Sequence, residues 1–244
     1  MKKFIKITAL LIAILCISAA FAGCQITKSN YEKLCDNVSY MQTGLFVAND
    51  DNFDVKLTTT TQEELFIADG KVDSKVDLAT LTILPRSAAD LSKTFEYTLE
   101  GSLSSASGSI AKSRLGINLV CNIDNMASVG EPKTLTLSEG EDTFTLEFVN
   151  VCADITDGNG ALNIAYTHFQ EKIDAALAED SFDRECYVKL LCQTNDANET
   201  EYFWYVSFIK NKRDYWAAIV NPTTDEIVSS RESVKEQDKV QGNK

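Results

Sequence analysis

Residues 202–221 read YFWYVSFIKNKRDYWAAIVN, two apolar runs on either side of the polar stretch KNKRD. Apolar runs separated by a short polar turn predict a β-hairpin. With KNKRD as the turn, three cross-strand pairs fall on one face: Phe208 with Trp216, Val206 with Ala218, and Trp204 with Val220. This face is apolar throughout, so we expect it to form the core of a small sheet.

The opposite face of the same hairpin is also apolar, which is unusual for a sheet face left in water. Its candidate binding or interdomain residues are Phe203, Tyr205, Ile209, Tyr215 and Ile219. Two interpretations are open: the face packs against another domain, or it binds a partner. Packing against another domain is the simpler of the two.

A helix is predicted ahead of the hairpin, in ALNIAYTHFQEKIDAALAED (161–180). Its apolar residues recur in steps of three and four and form one stripe, which consists of Leu162, Ala165, Tyr166, Phe169, Ile173, Ala176 and Leu177. Asp157 or Asn159 can cap its start. We expect this stripe to cover the Trp204 face of the sheet, and we expect further strands in CYVKLLCQ (186–193) and after NPTTDE (221–226).

Residues 161–231 resemble a PepSY-type module, a helix followed by a small antiparallel sheet. The resemblance is carried by WYV (204–206), YWAAIV (215–220) and NPTTDEIV (221–228). In that family a strand runs into an Asp-x-x-Thr-Gly-Glu-Val turn, whereas here Asn221 replaces the Asp and Asp225 replaces the Gly. Asp tolerates a left-handed backbone, so the turn can survive. The resemblance implies an α+β domain over 157–232 that binds or restrains a partner, with no catalytic residues.

The preceding segment, residues 40–156, has the alternating sequence pattern of an all-β domain. Apolar and polar residues alternate in FDVKL, LATLTIL, TFEYTLEGSL, GINLVCNI, TLTL and TFTLEFVNV. Turn residues separate these runs, and EGED (139–142) predicts a hairpin turn. Seven or so short strands predict an antiparallel β-sandwich, so the whole chain is expected to be mostly β with a small α+β part. SSASGS (104–109) is interpreted as a surface loop rather than a linker.

The chain begins MKKFIKITALLIAILCISAAFAGCQ, a basic start, an apolar run and small residues, which predicts a signal peptide over 1–23. Phe21-Ala22-Gly23-Cys24 resembles the lipobox of bacterial lipoproteins, with Phe21 where Leu is usual. That resemblance implies cleavage before a lipidated Cys24 and anchoring on the extracytoplasmic side of the cell membrane. The alternative is ordinary secretion after cleavage at Ala22. Residues 24–39 are interpreted as a polar tether, and 233–244 as a disordered tail.

Composition limits the possible partners. The chain has 23 basic and 36 acidic side chains and a net charge of −13. The signal peptide contains three lysines and no acid, so the remaining chain has 20 basic against 36 acidic side chains, a net charge of −16. Because such a chain repels polyanions, nucleic acid is excluded as a partner.

No catalytic constellation is recognisable. Five cysteines remain beyond Cys24, an odd number: Cys35, Cys121, Cys152, Cys186 and Cys192. Cys186 and Cys192 are six residues apart on one predicted strand, about 20 Å, too far for a disulfide. Cys121 and Cys152 either pair or remain two buried thiols. The single histidine, His168, is interpreted as a helix surface residue.

Two acidic clusters, at 50–54 and 154–159, fit turns and a helix cap better than a calcium loop. We therefore expect no metal, no cofactor and no enzymatic activity. The sequence predicts a membrane-anchored lipoprotein that binds a protein or peptide partner at the cell envelope. Two alternatives are open: an adhesion or structural module in which the β-sandwich binds, and a hydrolase with an unrecognised site.

Overall fold

A computed structural model describes residues 28–114, 116–178, 182–195, 197 and 199–233. The fold is mostly β, with 54% of residues in strands and 17% in helices. Across the described residues there are thirteen strands in one large sheet and four helices. This confirms the expected fold class at the level of a mostly β chain with a small helical part. The predicted signal peptide and Cys24 lie outside the described residues, as does the predicted tail beyond Ser233.

The elements follow one another along the chain with few long connections. The helices are α1 (Asn30–Asp36), α2 (Met126–Val129), α3 (Gly158–His168) and α4 (Gln170–Ala178). The strands are β1 (Val38–Asn49), β2 (Phe53–Glu63), β3 (Lys75–Pro85), β4 (Phe95–Gly101), β5 (Ser105–Lys112), β6 (Leu119–Ile123), β7 (Pro132–Glu139), β8 (Asp142–Glu147), β9 (Val149–Asn150), β10 (Glu185–Thr194), β11 (Thr200–Asn211), β12 (Asp214–Asn221) and β13 (Glu226–Ser233). Neighbouring strands in the sheet follow the order β13-β12-β11-β10-β1-β2-β3-β6-β5-β4-β7-β8, and β9 pairs with β1.

Strand β1 joins two regions of the molecule. It pairs antiparallel with β2 and parallel with β10, and its Phe46 and Val47 also pair with β9. We call β2 to β9 the N-terminal region, and α1, α3, α4 and β10 to β13 the C-terminal region. Each region has its own hydrophobic core, and β1 contributes Phe46 to the first core and Leu45 to the second.

The N-terminal core forms because apolar residues alternate along its strands and therefore point to one side. Its largest fully buried side chains are Phe53, Phe95, Leu57, Leu81, Ile83, Leu99, Ile110, Leu119 and Leu135. Each predicted strand run contains or overlaps one of the strands β2, β3, β4, β6, β7 and β8, and TFTLEFVNV continues into β9. The predicted turn between β7 and β8 has Gly140 at φ 63°.

The C-terminal core lies between the helices and one face of β10 to β12. The predicted helical stripe is confirmed, since Leu162, Ala165, Phe169, Ile173 and Leu177 are all buried. Asp157 caps α3 by accepting a hydrogen bond from the Gly160 N–H at 2.7 Å. The single predicted helix is divided at Phe169, where α3 ends and α4 begins one residue later.

The predicted hairpin register is confirmed pair by pair: Phe208 with Trp216, Val206 with Ala218, and Trp204 with Val220. Asp225 has φ 59°, so it adopts the left-handed backbone expected at the turn before β13. Asp225 N–H donates to the Asn221 carbonyl at 3.0 Å, which closes that turn.

Two parts of the chain differ from the sequence predictions. SSASGS is not a loop, because Ser105–Lys112 forms β5 and pairs with β4. Its small residues accommodate a large neighbour: a Cβ on Gly108 would lie 3.0 Å from the Tyr97 ring. The predicted tether 24–39 belongs to the fold from Asn30 onward, where α1 buries Leu34 and β1 begins with buried Val38.

Candidate binding face of the C-terminal sheet

The five candidate residues lie together on one face of β11 and β12. Tyr205 pairs with Ile219, Ile209 pairs with Tyr215, and Phe203 pairs with Leu191 of β10. All five are half-buried. Their neighbours in sequence point to the other side, where Trp204, Val206, Phe208 and Val220 are buried under α3 and α4.

This face contains two adjoining depressions. The larger has a volume of about 630 Å³ and is lined by Tyr205, Ile209, Asn211, Lys212, Tyr215, Ala217, Ala218, Ile219, Ser229, Ser230 and Arg231. The smaller, about 350 Å³, is lined by Leu191, Cys192, Gln193, Phe203, Ile219, Val228 and Ser229. The two share Ile219 and Ser229, and we call them together the C-terminal groove. From Phe203 to Ile209 the groove follows β11 for about 20 Å at the rise of a strand.

The groove bears on the choice between interdomain packing and partner binding. Packing against the predicted β-sandwich would bring side chains of residues 40–156 onto this face. The residues that line both depressions lie instead between Leu191 and Arg231. The rim residues Lys212 and Arg231 are exposed.

The two ends of the groove differ in charge. Lys212 and Arg231 line the larger depression, and the Arg231 guanidinium lies 5.9 Å from the centroid of the Tyr215 ring. At the other end, Gln193 Nε2 donates to the Glu201 carboxylate at 3.2 Å. Hydrogen bonds from Asn195 and Gln193 lower the pKa of Glu201, which is therefore ionised at neutral pH. The groove is cationic at one end and bordered by a carboxylate at the other.

Strand β13 ends the path of paired strands, so it is an edge strand within the described part of the chain. Most of its side chains are exposed. The outer backbone groups of such a strand can pair with an added strand. Strand β13 borders the groove, because its residues Ser229 and Arg231 line the larger depression.

The two acidic clusters stabilise turns. Asp50 Oδ1 accepts hydrogen bonds from the backbone N–H groups of Asn52 at 2.8 Å and Phe53 at 2.7 Å. Asp54 forms an ion pair with Arg86 at 2.9 Å. The second cluster contains the α3 cap Asp157. Within the described residues, no group of three or more His, Cys, Asp or Glu side chains could hold a metal ion.

The cysteines and the histidine are scattered. All five described cysteines are free thiols; Cys121 lies on β6 beside the N-terminal core, and Cys152 follows β9 beside the C-terminal core. Cys152 lies in a turn. Burial raises the pKa of the Cys121 and Cys152 thiols, which disfavours the nucleophilic thiolate. His168 is exposed at the end of α3, as predicted, with its ring against Phe169.

Sequence patterns missed a buried carboxylate pair between the two regions. Glu185 Oε2 accepts a hydrogen bond from Ser39 Oγ at 2.6 Å, and Oε1 accepts one from the Gly70 N–H at 2.7 Å. Glu63 is also buried, and its Oε2 has no hydrogen-bond partner among the described residues. Burial, and then the charge of Glu185, raise the pKa of Glu63. Glutamates at strand ends carry no sequence signal for such burial.

Comparison with protein-family models, curated proteins and solved structures found no match for this chain. In the described part of the chain, no helix is both long and apolar enough to cross a bilayer. Two features of the chain itself therefore bear on its function: the C-terminal groove and the sequence around Cys24.

Proposed function

We propose that this protein is a lipid-anchored lipoprotein on the extracytoplasmic side of the cell membrane. In this proposal it is not an enzyme, and it binds a protein or peptide partner through the C-terminal groove. The observation that carries the proposal is the 630 Å³ depression in an apolar sheet face. A sheet face left in water is normally polar on its outer side, so an apolar one with a depression marks an interaction surface.

The form of the groove supports a partner over a small cofactor. It is long and shallow, it follows the strands, and it lies beside an edge strand. Recognition of an extended segment uses pockets for alternate side chains, and the two depressions along the strands offer such pockets. The proposed PepSY-like character of the C-terminal region agrees with such a role, as does a proposed sandwich-like N-terminal region that serves as its support.

The proposed anchor is Cys24. Five residues, 25–29, separate it from the start of α1, and an extended chain of that length reaches about 17 Å. Each buried methylene of an attached chain stabilises membrane binding by about 0.8 kcal/mol, and stable anchoring takes two chains. The folded part would therefore be held close to the bilayer.

Photocrosslinking in intact cells tests the groove. We would place p-benzoylphenylalanine at Tyr205, and at Leu103 as the control, because Leu103 is exposed in the N-terminal region. We expect a discrete crosslinked product from position 205 that is missing at position 103. Equal crosslinking at both positions, or none at 205 and at a second groove position such as Ile219, would overturn the proposed function.

A Cys24→Ser variant tests the anchor separately. We expect the wild-type protein in the membrane fraction and the variant, which has no thiol to acylate, outside it. Globomycin should block processing of the wild-type precursor alone. Normal maturation in globomycin, with release of wild-type protein into the medium, would show that the protein is secreted without an anchor and would leave the groove result unaffected.

A further inference from the structure

We infer that the C-terminal groove takes an extended peptide segment that combines acidic and apolar side chains, with its carboxylates at the Lys212 and Arg231 end. This inference rests on the proposed function, since it names the chemistry of the partner for the same groove. The occupant we commit to is a segment of another protein, and charge complementarity is the reason.

The charge of the groove is opposite to that of the molecule. The chain has 36 acidic and 23 basic side chains, yet the larger depression is lined by two cations and no carboxylate. A surface patch that reverses the net charge of its own protein attracts ligands of the same sign as the protein. The ligand end that reaches this depression is therefore anionic.

The two groove cations also lack internal partners. Three cations of the C-terminal region form ion pairs, Arg184 with Asp214, Lys172 with Glu232 and Lys210 with Asp183, whereas Lys33, Lys189 and Arg213 form none with a described residue. Among the described residues, neither Lys212 nor Arg231 forms an ion pair, and the only ring contact of Arg231 is with Tyr215. These two side chains remain available for carboxylates of a ligand.

The floor of the groove requires apolar side chains in the same ligand. Tyr205, Ile209, Tyr215 and Ile219 line the larger depression, and Phe203, Leu191 and Val228 line the smaller one. Leu191 and Val228 are exposed by 39% and 56% and gain most from being covered. A ligand matches this lining if it places an aliphatic or aromatic side chain in each depression and then Asp or Glu beside the two cations.

The conformation of the ligand follows from the dimensions of the groove. A length of about 20 Å along β11 corresponds to about six extended residues. The outer edge of β13 lies two strands, about 10 Å, from β11, so the groove contacts such a segment through side chains. We therefore expect an extended ligand, whose alternate side chains can enter the two depressions along β11, rather than a helix with a diameter of about 10 Å.

A selection from a displayed random heptapeptide library tests the inference. The bait is the chain from residue 24 with Cys24→Ser, immobilised through its amino terminus. We expect enriched peptides with one or two Asp or Glu beside an aromatic or aliphatic residue. Binding of a selected peptide should weaken about threefold with Lys212→Glu and about tenfold with the double variant Lys212→Glu, Arg231→Glu. It should also weaken with added salt.

Two further variants separate the possible outcomes. Lys133→Glu changes charge on an exposed residue of the N-terminal region and should leave binding unchanged. Ile219→Asp disrupts the apolar floor. Peptides that depend on Ile219 but carry no acid, or that are insensitive to the double charge reversal, would overturn the acidic inference while supporting the groove. A selection with no peptide sensitive to Ile219→Asp would overturn the proposed function together with this inference.

Discussion

The N-terminal and C-terminal regions bury one face of their strands in the same way and differ in the other face. Many outward positions of the N-terminal region are hydroxyl-bearing or charged, such as Thr58, Thr82 and Glu96, with single apolar residues such as Leu84 among them. The matching positions of the C-terminal region are Tyr205, Tyr215 and Ile219. Threonine hydroxyls form hydrogen bonds to water, whereas the tyrosine and isoleucine side chains leave apolar area exposed.

Because of this difference, the effect of a substitution on stability can be distinguished from its effect on binding. The largest fully buried side chains all belong to the two cores, and the buried residues on the outer face of β11 and β12 are the small Ser207 and Ala217. We therefore expect the half-buried apolar residues on the outer face of β11 and β12 to contribute less to folding than those of the cores, which is consistent with the proposed binding role. Substitutions on the inner and outer faces should differ sharply in cost, and β1, which belongs to both cores, should couple the two regions.

The largest expected effects come from the two cores. Phe208→Ala should destabilise the protein by about 4 kcal/mol and Leu81→Ala by about 3 kcal/mol, because each leaves a cavity at a fully buried site. Both tryptophans, Trp204 and Trp216, are in the C-terminal region, so urea unfolding followed by fluorescence reports that region and circular dichroism reports both.

Coupling through β1 predicts that Leu81→Ala shifts the fluorescence and circular dichroism midpoints equally. Leu103→Ala, at a side chain that is 74% exposed, should change stability by less than about 0.5 kcal/mol. If Leu81→Ala leaves the fluorescence midpoint unchanged, the two regions unfold independently and β1 does not couple them.

A second test is at the contact between the regions. Gly70 has φ +75°, and a Cβ there would lie 2.3 Å from the Arg184 backbone nitrogen. Gly70→Ala should therefore cost about 3 kcal/mol, from backbone strain and from displacement of the β10 segment. Gly140→Ala is the matched control, because Gly140 has φ +63° and open space around it, and it should cost about 1 kcal/mol. Equal costs in thermal unfolding would mean that Gly70 can move away from β10.

Local sequence patterns predicted much of the C-terminal region. The hairpin register follows from the alternation of Trp204, Val206 and Phe208, and the helical stripe follows from its spacing. The left-handed turn residue Asp225 follows from backbone preference. These features involve residues close in sequence, where periodicity and turn chemistry determine the geometry.

The long-range features could not be predicted in the same way. The parallel pairing of β1 with β10 joins Val38 to Cys186, and alternation indicates only which face of a strand is buried, with no information about its partner. The buried pair Glu63 and Glu185 depends on that pairing. The groove was predicted as an apolar face, but its cationic end was not, because Arg231 reaches it only through the pairing of β12 with β13.

Glu63 provides a pH test of the junction between the regions. Its pKa is raised above the ordinary value of 4.5 by burial and by Glu185, so the folded state binds the proton more tightly than the unfolded state. This favours folding below about pH 4.5, and the contribution is lost as the pH rises through the folded-state pKa. Glu63→Gln should therefore stabilise the protein at pH 7 by about 1 kcal/mol, with a smaller gain near pH 4.

Urea unfolding at several pH values measures this gain. Glu64→Gln is the control; Glu64 is exposed and accepts a hydrogen bond from Ser74, and its replacement should change stability by less than about 0.5 kcal/mol at every pH. A Glu63→Gln variant that is less stable at pH 7 would mean that the ionised carboxylate is required at the junction.

The smallest expected effect is the most informative about the outer face. Ile219→Thr keeps a β-branched side chain on β12 and should change the free energy of unfolding by less than about 0.5 kcal/mol, because Ile219 is half-exposed. The adjacent Val220→Thr places a hydroxyl in the core at a fully buried position and should cost about 2 kcal/mol. Neighbouring residues of one strand thus give a matched pair for the two faces. A cost for Ile219→Thr comparable to that of Val220→Thr would mean that the groove floor supports folding, and its apolar character would then need no ligand to explain it.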